Sequence, residues 1–261
     1  MTGSRGALLR LGGPLQSWGA HSAFADRDTA PFPTRSGLLG LFSCALGRDR
    51  TASPEDLVPL SVTVRIDRPG QQVVDFHTVG GGLPAKATVP TPAGEHRGAG
   101  SGTIVSHRHY LADAVFTIAI HGPGPLVASV ASALTEPVWA PYLGRRACPP
   151  DGVLLLAADV ADPAHRLKTE VPLARPRPPH GQTTVQVRFV HDATVELPES
   201  GQATTELWDL PLSFARLNRR YNRRTVRITT ESLAAELCAG YGREQLTALH
   251  TFAASLRDGG R

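Results

Sequence analysis

The chain has 261 residues, of which 41% are hydrophobic, and it is mildly basic, with a formal net charge of +4 and a pI near 9.3. This length and hydrophobic content suffice for one large or two small domains, and three widely spaced cysteines indicate neither a disulfide framework nor a zinc site. The chain has no basic start followed by a long apolar run and no 18 consecutive apolar residues, so we expect a cytoplasmic protein without a membrane span.

The amino-terminal segment predicts a strand, a glycine-rich loop and a helix. Apolar residues alternate over 7–11, the loop over 12–19 has the sequence GGPLQSWG, and a helix is predicted over 36–46 with Gly47 as its stop. The free N–H groups at a helix start, with arginines nearby, offer donors to an anion such as a phosphodiester backbone. The candidate binding residues of this segment are Gln16, Ser17, Trp18, Arg27, Thr34, Arg35, Ser36 and Gly37.

These candidates also have a purely structural interpretation. The loop is consistent with a tight turn around a half-buried Trp18, and Ser36 is expected to cap the helix in either case. In the functional interpretation, Trp18 stacks on or packs beside an unpaired nucleotide while backbone donors hold phosphates. Arg27 and Arg35 then decide whether the bound anion is a nucleic acid.

The next elements complete an alternating pattern. Strands are predicted over 62–66, 116–120 and 153–160, and Pro125 begins a helix. The order strand, helix, strand, strand, helix, strand is that of the ferredoxin-like or RNA-recognition-motif fold. Between the two middle strands, residues 80–103 are rich in Gly, Pro and Thr, which predicts a mobile projecting arm because such a segment cannot bury a core.

The sequence His107-Arg108-His109-Tyr110 lies where the arm returns to the sheet. Alternation places the two histidines on one face of a strand and Arg108 and Tyr110 on the other. We expect Arg108 and Tyr110 to contact RNA. Taken alone, the histidines and Lys86 also suit acid and base catalysis of RNA cleavage at a 2′-hydroxyl, while the structural alternative is a solvated strand face.

The carboxy-terminal part, 161–261, predicts a small second domain. It contains a proline-rich connector over 175–180, a strand over 185–190 and helical spacing over 231–256. All basic side chains except Lys86 and Lys168 are arginines, whose planar forks suit phosphates. The densest cluster of arginines consists of Arg216, Arg219, Arg220, Arg223 and Arg224, with Tyr221 between them. Such a cluster is either a solvated face of the protein or a contact with RNA.

Three blocks of the sequence resemble the CasD family of type I-E CRISPR Cascade subunits, which belongs to the Cas-five family. The first block is 8–41, with GPLQSWG, an Arg-x-Thr and PTRSG leading into a Leu-rich helix. The second is 142–150, YLGRRACPP, and the third is 208–214, WDLPLSF, followed by Arg220, Tyr221 and Arg224. The blocks occur in the family's order and span most of the chain.

The resemblance implies a fold, a function and partners. It implies a ferredoxin-like RNA-binding domain over 1–160 in a non-catalytic subunit without cofactors, which binds and caps the 5′ handle of the CRISPR guide RNA. The partners implied are a CasC-type backbone subunit and a CasA-type large subunit, with target DNA reached indirectly. It adds Tyr142, Arg145 and Arg146 to the RNA-binding candidates.

Two other functions stay open at the level of the sequence. A metal-independent endoribonuclease would process precursor CRISPR RNA, as the related type I-C subunit does, through a tyrosine, lysine and histidine set. The only lysines available for such a set are Lys86 and Lys168. A free-standing RNA-recognition module would account for the fold but not for the second and third blocks.

Overall fold

A computed structural model describes residues 5–19, 25–91, 94–99, 102–192, 195, 203–215 and 218–258. Within these ranges, no helix is both long enough and apolar enough to cross a membrane. The helices and strands described, in chain order, are β1 Arg5–Gly12, β2 Leu15–Gln16, β3 Asp26–Arg27, α1 Arg35–Ala45, β4 Ser61–Arg68, β5 Gln71–Val79, β6 Ile104–Ala112, β7 Val115–His121, α2 Gly124–Thr135, β8 Leu155–Ala161, α3 Pro163–Thr169, β9 Thr184–Asp192, β10 Ala203–Ser213, β11 Arg220–Ala234 and α4 Arg243–Asp258.

A seven-stranded antiparallel sheet with the order β10-β11-β9-β4-β7-β1-β8 forms the centre of the molecule. Strand β1 is buried on both faces, which explains its nearly continuous apolar sequence. Leu9 and Leu11 pack on the side of α1 and α2, while Leu8 packs on the side of α3 and α4. The fold therefore belongs to the mixed α and β class with antiparallel sheets.

The elements predicted for the amino-terminal half are confirmed. The predicted strands correspond to β1, β4, β7 and β8, and the predicted helices correspond to α1 and α2 with shifts of one or two residues. These six elements follow one another as strand, helix, strand, strand, helix, strand. In the sheet, the four strands are contiguous in the order β8-β1-β7-β4.

The insertion between β4 and β7 is a long β-hairpin. Strands β5 and β6 pair from Gln71 and Ala112 at the base to Val79 and Ile104 at the far end. The predicted arm over 80–103 is the tip of this hairpin, and its residues 92, 93, 100 and 101 lie outside the described residues. The mobility of the arm stays a prediction.

A second, smaller sheet connects this hairpin to the amino-terminal loop. Strand β6 pairs with β2 in the antiparallel sense and with β3 in the parallel sense, where Arg27 lies beside Arg108. Residues far apart in the sequence are thus brought together at the base of the hairpin.

The carboxy-terminal strands continue the main sheet, because β9 pairs with β4 along Thr63–Ile66. The predicted boundary at residue 160 falls within β8, and independent folding of 161–261 stays a prediction.

The helix predicted over 231–256 is wrong in its first part, since β11 extends to Ala234 and α4 begins at Arg243. Leu233 is buried against the core beside Val185, so alternation rather than helical spacing governs that stretch.

Candidate nucleic-acid interface

The first two sequence blocks pack directly on each other. The Ser17 N–H donates to the Leu143 carbonyl at 3.1 Å, which joins the loop over 13–19 to the segment over 142–150. Gly144 has a φ of +84°, and a Cβ at this position would lie 1.7 Å from the Ser17 carbonyl oxygen. The contact therefore requires glycine both for backbone conformation and for space.

Trp18 is part of the core rather than of the surface. Its side chain is fully buried, its Nε1 donates to Gln16 Oε1 at 3.0 Å, and Gln16 in turn donates to the Ala114 carbonyl at 2.8 Å. A Cβ on Gly37 would lie 2.6 Å from the indole. Because the ring is enclosed, the expected stacking of Trp18 on a nucleotide has no surface in this conformation. Ser17 is buried as well and donates its hydroxyl to a carbonyl of β6.

The start of α1 already holds an anion, and that anion belongs to the chain. The helix cap is Thr34, whose hydroxyl accepts from the Gly37 N–H at 3.3 Å, so the prediction that Ser36 caps the helix is wrong. The N–H of Arg35 donates to the Asp209 carboxylate at 2.7 Å. A helix start attracts an anion as predicted, and Asp209 fills that position.

Arg35 is likewise engaged inside the protein. Its guanidinium is 4% exposed, pairs with Asp192 at 2.6 Å and donates to backbone carbonyls after α1. Burial lowers the pKa of Arg35, and the Asp192 carboxylate opposes that shift. Arg224 bonds to both Asp192 and Asp209, at 2.5 and 2.6 Å. We call these four residues, Arg35, Asp192, Asp209 and Arg224, the charge cluster. The Arg35 guanidinium is bonded inside the protein, so the prediction that Arg35 binds phosphate is not supported by this conformation.

Sequence reasoning alone does not find the charge cluster. In the sequence, Asp209 is simply one residue of the third block, and Arg224 belongs to a group of closely spaced arginines. The available signal is the alternation of β10, which places Leu207 and Asp209 on the inner face of the strand. The cluster shows why the first and third blocks occur together: they are bonded to each other.

A group of arginines remains at the surface, at the base of the β5–β6 hairpin. Arg145 donates to the Arg27 carbonyl at 2.8 Å, and its guanidinium carbon lies 4.8 Å from the centre of the Tyr110 ring. Arg27 is the direct strand neighbour of Arg108. The structure thus brings together arginines from the first block, from β6 and from the second block.

These side chains differ in exposure. Arg27 and Arg146 are exposed, Arg108 and Tyr142 are half-buried, and Tyr110 is 6% exposed. Tyr110 therefore supports Arg145 and offers little surface to a base. We call the group formed by Arg27, Arg108 and Arg145 the arginine surface; the neighbouring Arg146 is exposed and acts electrostatically on the Cys44 thiol at the end of α1.

The two histidines lie on the opposite face of β6. The His107 ring is 5.6 Å from that of Phe76, while His109 Nδ1 lies 2.8 Å from the Gln72 amide and its Nε2 lies 3.6 Å from Asp26. The two rings stand side by side, as same-face neighbours on a strand do. Over the described ranges, no cluster of His, Cys, Asp and Glu side chains could hold a metal ion.

Comparison with known proteins gives consistent matches. The family described as CRISPR-associated protein (Cas_Cas5) matches residues 7–227. The CRISPR system Cascade subunit CasD of Escherichia coli (strain K12) is 38% identical in an alignment of 176 positions that covers 64% of this chain and 77% of that protein.

Two solved structures extend the likeness to the fold. A chain of a CRISPR RNA-guided surveillance complex is 47% identical, with a TM-score of 0.83, over 95% of this chain and 99% of its own. A crystal structure of a Cas protein is 28% identical, with a TM-score of 0.59, over 90% and 98%. The range matched by the family includes both the charge cluster and the arginine surface.

Proposed function

The chain belongs to the Cas5 family of CRISPR-associated proteins, and from this premise we propose that it is the CasD-type subunit of a type I-E Cascade complex, where it binds and caps the 5′ handle of the guide RNA. Its relatives are a Cascade subunit and a chain of an RNA-guided surveillance complex. In this proposal the chain contacts a CasC-type backbone subunit and a CasA-type large subunit in the cytoplasm, and it meets target DNA only through the guide.

The observation that carries the proposal is the arrangement of the arginine surface. Directly paired residues of neighbouring strands project from the same face, so Arg27 and Arg108 leave the sheet on the same side, from strand backbones about 5 Å apart. Like charges placed opposite each other are destabilising. Arg145 adds a third guanidinium on that face through its contact with Tyr110. An RNA phosphate between these groups would relieve the repulsion and accept paired hydrogen bonds from them.

The buried candidates take a supporting role in this proposal. Gln16, Ser17 and Trp18 fix the loop, whose Trp18 carbonyl accepts from the Ala30 N–H shortly after β3, and Thr34 caps the start of α1. Backbone and arginine contacts to phosphate position a single strand, and unstacked bases are then read at their edges. Sequence selectivity is confined to the handle, and the spacer stays free to pair with target DNA.

The arrangement of the central strands supports the finer fold assignment. The order β8-β1-β7-β4, with α1 and α2 packed together on one face, is that of the RNA-recognition motif. In this chain, however, helices cover both faces of the main sheet at β1, and the proposed RNA contacts come from β3, β6 and the 142–150 segment.

We propose no catalytic step. RNA cleavage needs a base for the 2′-hydroxyl and a donor for the leaving oxygen on opposite sides of one phosphate. His107 and His109 lie side by side on one strand face, and His109 is within reach of Gln72 and Asp26. This geometry supports a structural role for the pair.

Fluorescence anisotropy tests the proposal by measuring how tightly the purified full-length chain binds RNA at several salt concentrations. We expect Arg27→Gln and Arg108→Gln to weaken binding of a handle RNA and to reduce the log–log salt slope by about 0.7 for each phosphate that the chain no longer neutralises. Arg50→Gln is the matched control, because Arg50 is an exposed arginine in the loop after α1 and belongs to none of the elements that form this surface. Equal effects of all three substitutions would refute a localised handle site.

A further inference from the structure

The outer face of the β10–β11 hairpin carries aromatic and basic side chains that the proposed function does not use. Of the arginines grouped there by the sequence, Arg224 belongs to the charge cluster, and Arg216 lies outside the described residues. The others, Arg219, Arg220 and Arg223, are exposed. The structure therefore separates one structural arginine from three that face solvent.

The strand register shows which side chains share the outer face. Leu207 lies opposite Arg224, and both point inward. Their chain neighbours Trp208 and Arg223 therefore point outward, and the Arg223 guanidinium carbon lies 5.7 Å from the centre of the Trp208 ring. Tyr221, two residues from Arg223, projects from the same face. The result is a row of aromatic and guanidinium groups on the side opposite the charge cluster.

These side chains are available to a ligand. Trp208 is 53% exposed and Tyr221 37% exposed, although large aromatic side chains gain free energy from burial. Arg223 pairs with Glu206 at 3.4 Å, but both side chains are about 60% exposed. Exposed pairs of this kind contribute little free energy, so a phosphate can replace the Glu206 carboxylate.

We propose that this face is a second contact for single-stranded guide RNA, which we call the hairpin surface. On this face Arg223 holds a phosphate and one base stacks on Trp208 or Tyr221, while the exposed Arg219 and Arg220 add positive charge where β11 begins. Stacking on an aromatic ring and contact with phosphate do not depend on the base, so the contact has no sequence preference. The inference rests on the proposed function for the identity of the RNA as guide.

The charge balance favours RNA over a protein partner. Three exposed arginines and two exposed aromatic rings outnumber the acidic partner described beside them, the Glu206 carboxylate. Basic side chains interleaved with aromatic rings are typical of surfaces that follow a single strand. The charge cluster contributes by fixing the inner face of the same two strands, which holds Trp208 and Arg223 in a defined orientation before RNA binds.

Binding of two RNAs to the full-length chain tests the hairpin surface. One RNA carries the handle, and the other is an oligouridine of similar length without it. We expect Trp208→Ala to weaken binding of both RNAs about tenfold, and Arg223→Gln to weaken both severalfold. We expect Glu206→Gln to tighten binding of both, because it removes a negative charge that competes with phosphate.

The matched control is Tyr241→Ala. Tyr241 is 46% exposed and has the Arg68 guanidinium 4.9 Å above its ring, so it reproduces the aromatic and arginine pair elsewhere on the surface. We expect this variant to bind both RNAs as the unaltered chain does. Unchanged oligouridine binding in both Trp208→Ala and Arg223→Gln would overturn the hairpin surface, whatever happens at the handle.

The same measurements distinguish the two proposals. If Arg27→Gln leaves handle binding intact while Trp208→Ala weakens oligouridine binding, the proposed handle site fails and the hairpin surface stands. In the assembled complex, guide RNA containing 4-thiouridine should cross-link under ultraviolet light to the peptide with Trp208 or to that with Tyr221. Absence of both cross-links, together with dissociation of a protein subunit from the Trp208→Ala complex, would assign the face to a protein partner and refute the proposal.

Discussion

Removal of the Asp209 carboxylate should destabilise the protein severely. Asp209 is 2% exposed and accepts from the Arg35 N–H at 2.7 Å and from Arg224 at 2.6 and 2.9 Å. In Asp209→Ala, the start of α1 loses its acceptor and Arg224 loses one of its two carboxylates. Removing one partner of a buried ion pair costs about 3–5 kcal/mol. A destabilisation of that size is a large share of the ~5–15 kcal/mol by which domains are stable.

Urea unfolding, monitored by circular dichroism, measures the change in the free energy of unfolding. We expect the midpoint to fall strongly in Asp209→Ala and less in Asp209→Asn, which keeps an acceptor at the helix start. Asp209→Ala leaves two arginines with the single Asp192 carboxylate, so in the double variant Asp209→Ala with Arg224→Met part of the stability should return, because the excess positive charge is removed.

The control is Arg5→Ala, which breaks an exposed pair with Asp159 and should leave the midpoint unchanged. If Asp209→Ala unfolds at the same urea concentration as the control, the charge cluster does not connect the β10–β11 hairpin to α1, and the reasoning is refuted.

Three further predictions concern acid stability, packing and catalysis. Burial lowers the pKa of His191 to about 4, below its ordinary value of about 6.5; the unfolded chain therefore takes up the proton first, and about 3 kcal/mol of stability should be lost as pH falls from 6.5 to 4. Urea midpoints at pH 7 and 4.5 should differ less in His191→Gln than in the unaltered chain, and an equal difference would contradict the pKa shift. Gly144→Ala should lower the melting temperature by many degrees, because the new Cβ meets the Ser17 carbonyl at 1.7 Å; a melting curve like that of the unaltered chain would disprove the packing argument. The purified chain should leave a labelled repeat RNA intact over hours without divalent metal, whereas cutting that disappears in His107→Ala or His109→Ala would establish the endoribonuclease instead.

Local sequence signals were sufficient for most of the framework. Apolar periodicity located β1, α1, β4, β7, α2 and β8, because each of these elements buries one face or both against the core. The three blocks were sufficient to identify the family, because motifs such as GPLQSWG and YLGRRACPP can be recognised in the sequence without knowing the fold. Periodicity failed at residues 231–234, where spaced leucines fit a helix as well as the strand that the sheet imposes.

The roles of individual charged and aromatic residues depend on contacts that no local pattern contains. Arg35 and Arg27 are equally good phosphate ligands in the sequence, yet Arg35 is buried on Asp192, 157 residues away, while Arg27 stays exposed. Likewise, Trp18 is buried and Trp208 is exposed because the fold packs distant residues around the first ring and not around the second. A charge is buried only where a distant partner offsets its lost hydration, and that partner is chosen when strands and helices assemble. Local patterns were therefore sufficient for the elements and the family, whereas contacts between residues far apart in the chain select which arginines hold the protein together and which stay exposed.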